Sequence, residues 1–442
     1  MTQKTFRVIT LGCKVNQYES ACLEERLKAT GWDMAGKDSK ADLVIINTCI
    51  VTQRASYQSR QAIRKAIREN PGCLAAAVGC YGQVFPDELS GIEGIGVIAG
   101  NADKLSLPDI LQENPQKCGP CVISNDFTKK GAFDYIPARG LSDRTRASLK
   151  IQDGCESFCS YCIVPFARGP VRSLDPSKVV ESLHALCEEG YKEAVLTGIH
   201  LSRYGADLGN GIDLKNLLVR IDNEMLPLRI RLSSLEPNEI DRELIEMMAS
   251  CDWLCRHFHI PLQSGDDHIL EMMNRHYSSR DFARLADMIF EKIPLAAIGL
   301  DVIAGFPGED DNAYNNTFSL INNLPVSYLH VFPFSPRKGT AAAEFPDHIE
   351  HKEIKERAAG LRELGKKKRE VFHRSCIGKE FSVLAKGRHS AKKDMMEGIS
   401  DNYLNIIFPS SRLIKNSLLT VRVIETGEDG IIGKVVDDLL RE

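Results

Sequence analysis

Two things are missing from this sequence: an excess of charge of one sign and any long hydrophobic run. Its 442 residues carry 56 Lys and Arg against 60 Asp and Glu, a formal net charge of −4. Because there is no global basic field, nucleic-acid binding would have to come from local patches. No apolar run approaches the roughly 18–20 residues of a membrane span, and the first residues lack the pattern of a signal peptide. We therefore expect a cytoplasmic protein with no membrane contact.

Cysteine, by contrast, is abundant, with 14 residues. A reducing cytosol disfavours structural disulfides, and a chain of this length buries enough surface to fold without them. Cysteines in such a protein are usually buried apolar residues, metal ligands or catalysts. Their spacing must decide between these roles.

Residues 1–115 alternate short strand-like runs with helical stretches. The strand candidates are Phe6–Leu11, Leu43–Ile46 and Leu74–Val78, and the helical stretches are Ser20–Thr30 and Arg54–Glu69. This alternation predicts an open α/β domain with a parallel sheet. Pro and Gly are frequent over residues 116–140, which predicts a linker.

A second alternation of strands and helices covers residues 141–372. Its six strand candidates are Ser148–Ile151, Glu193–Thr197, Arg229–Ser233, His257–Ile260, Ala297–Ile303 and Tyr328–Val331. Six such units predict a partial (β/α)6 barrel, whose reactive residues should lie at the carboxyl ends of the strands. Residues 376–442 change to short β-like runs, which predict a small β-barrel. The predicted fold class is therefore α/β, with a small β-barrel at the C-terminus.

Three cysteines lie on one loop after the first barrel strand, in the pattern C-x3-C-x2-C. They are Cys155, Cys159 and Cys162. Three thiolates this close can hold three irons of a cubane cluster, which leaves the fourth iron open to a substrate. The alternatives are a zinc loop with a distant fourth ligand and buried, inert thiols.

A second set of three cysteines is dispersed, but each member follows a predicted strand of the first domain. Cys13, Cys49 and Cys80 come after the first, second and third strand candidates. Residues just past neighbouring parallel strands converge on one edge of the sheet. The set could therefore hold a second three-thiolate cluster, and the alternative is three unrelated small core residues.

Eight cysteines remain. Cys118 and Cys121 match a redox C-x2-C pattern, but they lie in the predicted linker rather than at a strand-to-helix turn. The other six are interpreted as small hydrophobic residues.

At this point the sequence resembles a known family. The C-x3-C-x2-C loop on a partial barrel is similar to the radical S-adenosylmethionine (SAM) superfamily, and the dispersed set ahead of it is similar to the methylthiotransferases within it. Within that group the chain resembles the MtaB type in three segments, namely Thr10–Ser20 (TLGCKVNQYES), Ile163–Ser173 (IVPFARGPVRS) and Leu196–His200 (LTGIH). The resemblance implies an N-terminal methylthiotransferase domain, a radical SAM domain and a C-terminal TRAM domain.

The resemblance also implies an activity. It is the insertion of a methylthio group at C2 of N6-threonylcarbamoyladenosine, at position 37 of tRNA, with two SAM molecules and two 4Fe-4S clusters. A radical route suits an unactivated C–H bond. The implied partners are the tRNA anticodon loop and a low-potential electron donor such as flavodoxin or ferredoxin. Sister types act on isopentenylated adenosine in tRNA or on an aspartate of a ribosomal protein.

Candidate SAM contacts follow the other barrel strands. They are Thr197, Gly198, Glu236, Gln263 and Gly305. The superfamily usually holds the SAM amino group after the second strand, where Thr197 and Gly198 lie. Glu236 could accept from the ribose hydroxyls, and Gly305 could leave room for the adenine. The alternative is ordinary strand-end and turn chemistry.

Candidate RNA contacts come from basic patches on a helix and on the C-terminal barrel. They are Arg60, Arg64, Lys386, Arg388, Lys392, Lys393 and Tyr403, the last in the TRAM-like segment Glu397–Tyr403 (EGISDNY). Tyr403 could stack on a base. A solvated surface is the alternative for the charges. For Arg168 and Arg172 the sequence leaves two roles open. They either contact the substrate or SAM, or form structural salt bridges.

The residues alone also allow two interpretations in which the protein is not an enzyme. An electron-transfer protein would need four ligands for each cluster, and neither cysteine set has a fourth. A zinc-containing RNA-binding protein would need a single-metal geometry at the cysteines.

Overall fold

The computed structural model describes residues 3–36, 39–113, 120–127, 133, 135, 145–389, 394–410, 414–427 and 430–436. It contains an N-terminal parallel sheet, a central partial barrel and a closed C-terminal barrel. The predicted fold class is therefore confirmed. Among the described helices, none is both long and apolar enough to cross a membrane.

The N-terminal domain is built on six parallel strands in the order β2-β1-β3-β4-β5-β6. The strands are β1 (Thr5–Thr10), β2 (Asp33–Met34), β3 (Leu43–Thr48), β4 (Leu74–Gly79), β5 (Ile95–Ala99) and β6 (Cys121–Ile123). The helices are α1 (Lys14–Ala29), α2 (Gln53–Glu69), α3 (Cys80–Val84), α4 (Pro86–Ser90) and α5 (Leu107–Glu113). The central strand β3 is buried along its whole length, as expected of a parallel strand covered on both faces.

The predicted linker is wrong in one respect. Cys121–Ile123 lies inside it but forms β6, which extends the sheet beside Val97–Ala99. A strand of three residues among prolines and glycines gives no periodicity that a sequence pattern can detect. Cys121 is therefore part of a sheet edge, and Cys118 lies outside the described residues.

The central domain consists of two three-stranded parallel sheets, β7-β10-β11 and β12-β13-β14. Its strands are β7 (Ala147–Lys150), β8 (Gln152–Asp153), β9 (Arg172–Ser173), β10 (Glu193–Thr197), β11 (Arg229–Leu232), β12 (His257–Gln263), β13 (Ala297–Ala304) and β14 (Tyr328–Pro333). Its helices are α6 (Val164–Arg168), α7 (Pro176–Glu188), α8 (Leu214–Asn223), α9 (Arg242–Ser250), α10 (Asp267–Met272), α11 (Ser279–Lys292), α12 (Asp311–Asn323) and α13 (His351–Ser375). Single parallel bridges, such as Ser234 with His259, join the two sheets into one partial barrel.

The barrel strands alternate between an apolar outer face and a polar interior. Ala194 and Leu196 of β10 pack in the main hydrophobic core, and Glu193 lies on the opposite side of the strand among buried arginines. This period of two is expected for a strand. The interior is therefore lined by side chains that can bind polar groups.

The C-terminal barrel is closed in the order β15-β16-β17-β19-β18. Its strands are β15 (Glu380–Arg388), β16 (Met395–Ser400), β17 (Asn405–Pro409), β18 (Leu418–Gly427) and β19 (Gly430–Val435). The sequence pattern predicts four strands here and misses β16, which occupies part of the TRAM-like segment. Gly398 interrupts the strand pattern in the sequence. A Cβ at this position would lie 2.5 Å from Val383, so only glycine fits here.

A buried ion cluster fixes the C-terminal barrel to the central domain. The Glu193 carboxylate accepts from Arg229, with a shortest N···O distance of 2.6 Å, and from Arg231 at 2.8 Å. The two guanidinium groups also donate to main-chain carbonyls of Ser382, Ile399, Ser400 and Asp401. Glu193 and Arg231 are fully buried. Glu193 therefore orients the two arginines, whose N–H groups hold the C-terminal barrel in place.

We predict that Glu193→Gln loosens this attachment, because it leaves two buried guanidinium groups without their counter-ion, at a cost of about 3–5 kcal/mol. Limited proteolysis should cut faster between α13 and β15 and release the C-terminal barrel. The control is Glu181→Gln, which removes only the exposed pair with Lys178. Equal cleavage rates in the two variants would contradict the assigned role.

Candidate functional site

The dispersed cysteines do meet at one edge of the N-terminal sheet. Cys49 directly follows β3 and Cys80 directly follows β4, while Cys13 comes three residues after the end of β1. These three strands are neighbours. Gly12 has φ +91°, and a Cβ at this position would lie 2.8 Å from Cys49 Sγ, so glycine is required for Cys13 to lie beside Cys49.

The three sulfurs influence one another electrostatically. Burial, followed by the neighbouring Cys80, raises the pKa of the Cys49 thiol to about 11. Burial also raises the pKa of Cys13, and the Arg168 guanidinium opposes this effect. Thiols in such an environment stay protonated unless a metal centre takes up the thiolate charge.

The loop cysteines are held by a folded main chain. Cys155 N donates to Gly169 O at 3.0 Å, and Cys162 N donates to Cys159 O at 2.9 Å. Gly154, with φ +77°, allows the loop to pass the main chain of Pro170, where a Cβ would collide at 1.8 Å. The loop is therefore fixed at its start and across its centre.

Two basic side chains contact the loop sulfurs. Arg275 Nη1 donates to Cys159 Sγ at 3.3 Å, and His200 Nδ1 lies 3.6 Å from Cys155 Sγ. Although burial opposes it, contacts with Cys155 and Glu239 raise the pKa of His200 to about 9. Although burial opposes it, hydrogen bonds with His200 and Ser157 lower the pKa of the Cys155 thiol. Donors to cluster sulfurs of this kind tune reduction potentials.

The spacing of the sulfurs separates a cluster from a single metal ion. Tetrahedral zinc brings its ligand sulfurs within roughly 3.8 Å of one another. Among the described residues, the group whose ligand atoms all lie within 4.8 Å of one another is His259, Asp301 and His330, and neither cysteine trio meets that limit. A cubane cluster spreads three thiolates over three irons and needs a wider arrangement. Neither trio is therefore spaced as the ligands of a single tetrahedral zinc ion are.

A buried ion network joins the two trios. Arg168, six residues after Cys162, donates to Glu19 Oε1 of α1 at 2.7 Å and to Asn16 Oδ1 at 2.6 Å. Lys150 lies 3.0 Å from Glu19 and 3.1 Å from Asp153, and Lys104 also pairs with Glu19. Glu19 is 2% exposed. Of the two roles left open for Arg168, the structure shows the salt bridge, and Arg172 likewise pairs with Asp153 at 3.5 Å.

The network has more positive than negative charge. Four cations, Lys104, Lys150, Arg168 and Arg172, surround only two carboxylates, those of Glu19 and Asp153. Despite burial, the Glu19 carboxylate and then Cys80 raise the pKa of Arg168. A negatively charged thiolate cluster on the dispersed trio would balance the excess charge.

Helix α6 brings the trios to the same region. Ile163, the residue after Cys162, and Ala167 pack in a core with Ile46, Cys80 and Tyr81 of the N-terminal domain. Asn101 Nδ2 lies 3.2 Å from Cys80 Sγ and 2.6 Å from Ala167 O. The segment that carries the loop trio is thus packed against the cysteine end of the N-terminal sheet.

A cavity of about 330 Å³ lies beside Cys159. Its lining includes Glu236, one of the expected SAM contacts, together with His200 and Arg275. Arg275 pairs with the Glu236 carboxylate. Sequence reasoning missed both basic residues. His200 lies in the quoted LTGIH segment and could have been noticed, whereas Arg275 is far from any motif.

The other expected SAM contacts have mixed outcomes. Thr197 is buried at the end of β10, and a Cβ on Gly198 would lie 2.7 Å from Gln152 Oε1. Gln263 ends β12 with φ +63°. A Cβ at Gly305 would lie 2.4 Å from Ile354 of α13, so its missing side chain makes room for a helix. A contact between Gly305 and SAM stays a prediction.

One of the two basic residues of α2 that were expected to contact RNA is engaged within the protein. Arg60 donates to the Tyr81 hydroxyl and lies 4.0 Å from Glu88, so it has a structural role. Arg64 is exposed on the same helix.

On the C-terminal barrel, Lys386 donates to Asn405 at 2.7 Å and Arg388 is exposed. Lys392 and Lys393 lie outside the described residues. The Tyr403 ring stacks on His257 at 4.3 Å and lies under Arg231 at 5.2 Å, so it takes part in the contact between the barrels. Its stacking on a base stays a prediction.

We predict that Glu19→Gln destabilises the protein by about 3–5 kcal/mol, since three buried cations lose their shared carboxylate. Chemical denaturation monitored by circular dichroism measures the change. The matched control is Glu25→Gln on the same helix, whose exposed pair with Lys28 should contribute less than about 1 kcal/mol. A loss for Glu19→Gln no greater than that of the control would refute the network's role.

Comparisons with known proteins agree with this site. Residues 5–100 match the family described as Uncharacterized protein family UPF0004, and residues 149–321 match the Radical SAM superfamily. The chain is 34% identical over 439 residues to threonylcarbamoyladenosine tRNA methylthiotransferase MtaB of Bacillus subtilis, covering 98% of this chain and 97% of that one. It is 37% identical over 376 residues to MtaB of Aquifex aeolicus, covering 85% and 91%.

A sister type is more distant, and a solved structure shares the fold. Identity to the tRNA-2-methylthio-N(6)-dimethylallyladenosine synthase of Moorella thermoacetica is 29% over 441 residues, covering 98% of this chain and 99% of that one. The radical S-adenosylmethionine methyltransferase TsrM from Kitasatospora setae, with cobalamin and a 4Fe-4S cluster bound, superposes with a TM-score of 0.54 at 16% identity, covering 77% and 74%. Full-length similarity and the cysteine geometry agree: the chain belongs to the MtaB type of the radical SAM methylthiotransferases.

Proposed function

We propose that this protein inserts a methylthio group at C2 of N6-threonylcarbamoyladenosine in the anticodon loop of tRNA, using two SAM molecules and two 4Fe-4S clusters. The convergence of two three-cysteine sets on one region carries the proposal. Each set offers three thiolates, so each leaves one iron of a cubane cluster without a protein ligand from its motif. An electron carrier has no use for two such open positions, whereas a sulfur-inserting enzyme needs both.

The cofactors would supply the difficult chemistry. When bound, the loop cluster and SAM supply the 5′-deoxyadenosyl radical that removes the hydrogen from C2, and the second cluster supplies the position at which sulfur is presented. The residues of the chain bind and orient these groups. Cys155, Cys159 and Cys162 would hold the SAM-binding cluster, and Cys13, Cys49 and Cys80 would hold the other.

The residues around the loop trio would position SAM. Glu236 lines the cavity beside Cys159 and is held by Arg275, so its carboxylate is fixed where it can accept from ribose hydroxyls. Thr197 ends β10, Gly198 follows it directly, and Gln263 ends β12. Together they form the ligand edge of the barrel that this fold uses.

The tRNA would contact basic residues outside the barrel. Arg64 and Arg388 are exposed, and Lys392 and Lys393 follow Arg388 closely in the sequence. Contacts of this kind bind phosphates without reading sequence. A low-potential flavodoxin or ferredoxin would deliver the electron in the cytoplasm.

We predict that the anaerobically prepared protein holds about eight irons per chain, four for each cubane cluster. Cys13→Ala and Cys155→Ala should each reduce this to about four, because each removes one ligand set. Iron and acid-labile sulfide assays measure the content, and Cys251→Ala, outside both sets, is the control. Four irons in the wild type, or zinc in place of iron, would overturn the two-cluster proposal.

We also predict the nucleoside that accumulates when this protein is absent. Mass spectrometry of tRNA nucleosides from a strain lacking the gene should show loss of 2-methylthio-N6-threonylcarbamoyladenosine and accumulation of its unthiolated precursor. The dimethylallyladenosine forms should be unchanged. A change confined to those forms would assign the chain to the activity named for the Moorella relative.

A further inference from the structure

The interior of the central barrel contains an excess of buried positive charge at the amino ends of its strands. Arg229 and Arg231 begin β11, and Arg146 immediately precedes β7. All three guanidinium groups face Glu193 of β10, with Arg146 Nη1 at 3.6 Å from Glu193 Oε1. We call these three arginines the interior cation cluster.

One carboxylate does not neutralise this cluster. The Asp401 carboxyl also acts on Arg231, and burial raises the pKa of that carboxyl. Three guanidinium groups therefore face two carboxylates. A buried site with this balance is unfavourable by itself, unless an anion enters it.

The members of the interior cation cluster differ in the N–H groups that remain to bind a ligand. Arg229 and Arg231 use their N–H groups on Glu193 and on carbonyls of the C-terminal barrel. Arg146 Nη1 is buried and has no hydrogen-bond partner. The unused donor is therefore that of Arg146.

The substrates named for the relatives differ in one relevant charge. A threonylcarbamoyl group ends in a free carboxylate, whereas a dimethylallyl group is a neutral hydrocarbon. An arginine fork matches the geometry of a carboxylate, and the pairing is charge-assisted. An excess of buried cations would serve the first substrate and would be costly with the second.

The dimensions of the barrel are compatible with this match. Arg146 lies at the amino end of β7, and the loop trio begins beyond its carboxyl end, about 13 Å along the strand. The threonyl carboxylate lies roughly 8–10 Å from purine C2 along the extended group. If C2 faces the clusters, the group points down the interior past His259 and His330, which both bond to Asp301 at 2.8 and 3.2 Å.

We propose that Arg146 binds the threonyl carboxylate of the target nucleoside inside the barrel and so selects this nucleoside over those with neutral N6 groups. The proposal rests on the proposed function, because it assigns a substrate group to the same site. The carboxylate would supply the acceptor that Arg146 lacks and the negative charge that the interior cation cluster lacks.

The test uses the full-length protein and two anticodon stem-loops that differ only in the threonyl group, as the free acid or as its methyl ester. Equilibrium binding is measured by fluorescence anisotropy and methylthiolation by mass spectrometry. The variant is Arg146→Gln, with Arg146→Lys as the conservative variant and Arg220→Gln, on an exposed face of α8, as the control. The ester serves as an internal check that each variant is folded.

The wild type should bind the acid at least about tenfold more tightly than the ester, as expected for a lost charge-assisted hydrogen bond. Arg146→Gln should abolish this preference by weakening binding of the acid alone, with an increase in KM and little change in kcat. Arg146→Lys should retain part of the preference. Equal affinities of the wild type for acid and ester, or an equal loss for both in Arg146→Gln, would overturn the proposal.

The same experiment separates this inference from the proposed function. If the wild type methylthiolates acid and ester equally well, the function stands and the carboxylate site fails. If the wild type modifies neither, but modifies a stem-loop with a dimethylallyl group, the proposed substrate is wrong and the carboxylate site fails with it.

Discussion

The geometry of this protein depends on a buried carboxylate, Glu19, that binds cations from two domains. Lys104 belongs to the same domain as Glu19, whereas Lys150 and Arg168 come from the barrel strand and the helix that flank the cysteine loop. A buried charge cannot be left unpaired without a penalty of several kcal/mol. The two domains therefore cannot separate or rotate without exposing or stranding these charges. This fixes the cysteine end of the sheet against the cysteine loop of the barrel.

A second buried carboxylate, Glu193, plays a similar part at the other end of the barrel. It holds the two arginines that bind carbonyls of the C-terminal barrel. Both ion clusters contain more cations than carboxylates, and the excess has a different use in each. Near Glu19 it faces cysteines that would carry thiolate charge, and near Glu193 it faces the interior in which we place the substrate.

The sequence was informative where function depends on strand ends. Cys13, Cys49 and Cys80 could be grouped because parallel strands place their following residues on one edge, and the structure brings these residues together. The sequence was uninformative for residues whose role depends on a contact with a distant part of the chain. Arg275 reaches Cys159 from 116 residues away, and Gly305 accommodates Ile354 from another element. The TRAM-like segment predicts that Tyr403 stacks on a base, and its packing on His257 and Arg231 between two barrels does not show in a local motif.

We propose that two open clusters share one space between the domains. Electron paramagnetic resonance of the fully reduced protein tests this arrangement directly, because two paramagnetic clusters at short range broaden and split each other's signals. We expect a spectrum that differs from the sum of the Cys13→Ala and Cys155→Ala spectra, each of which retains one cluster. A wild-type spectrum equal to that sum would show two isolated clusters and would contradict the claim.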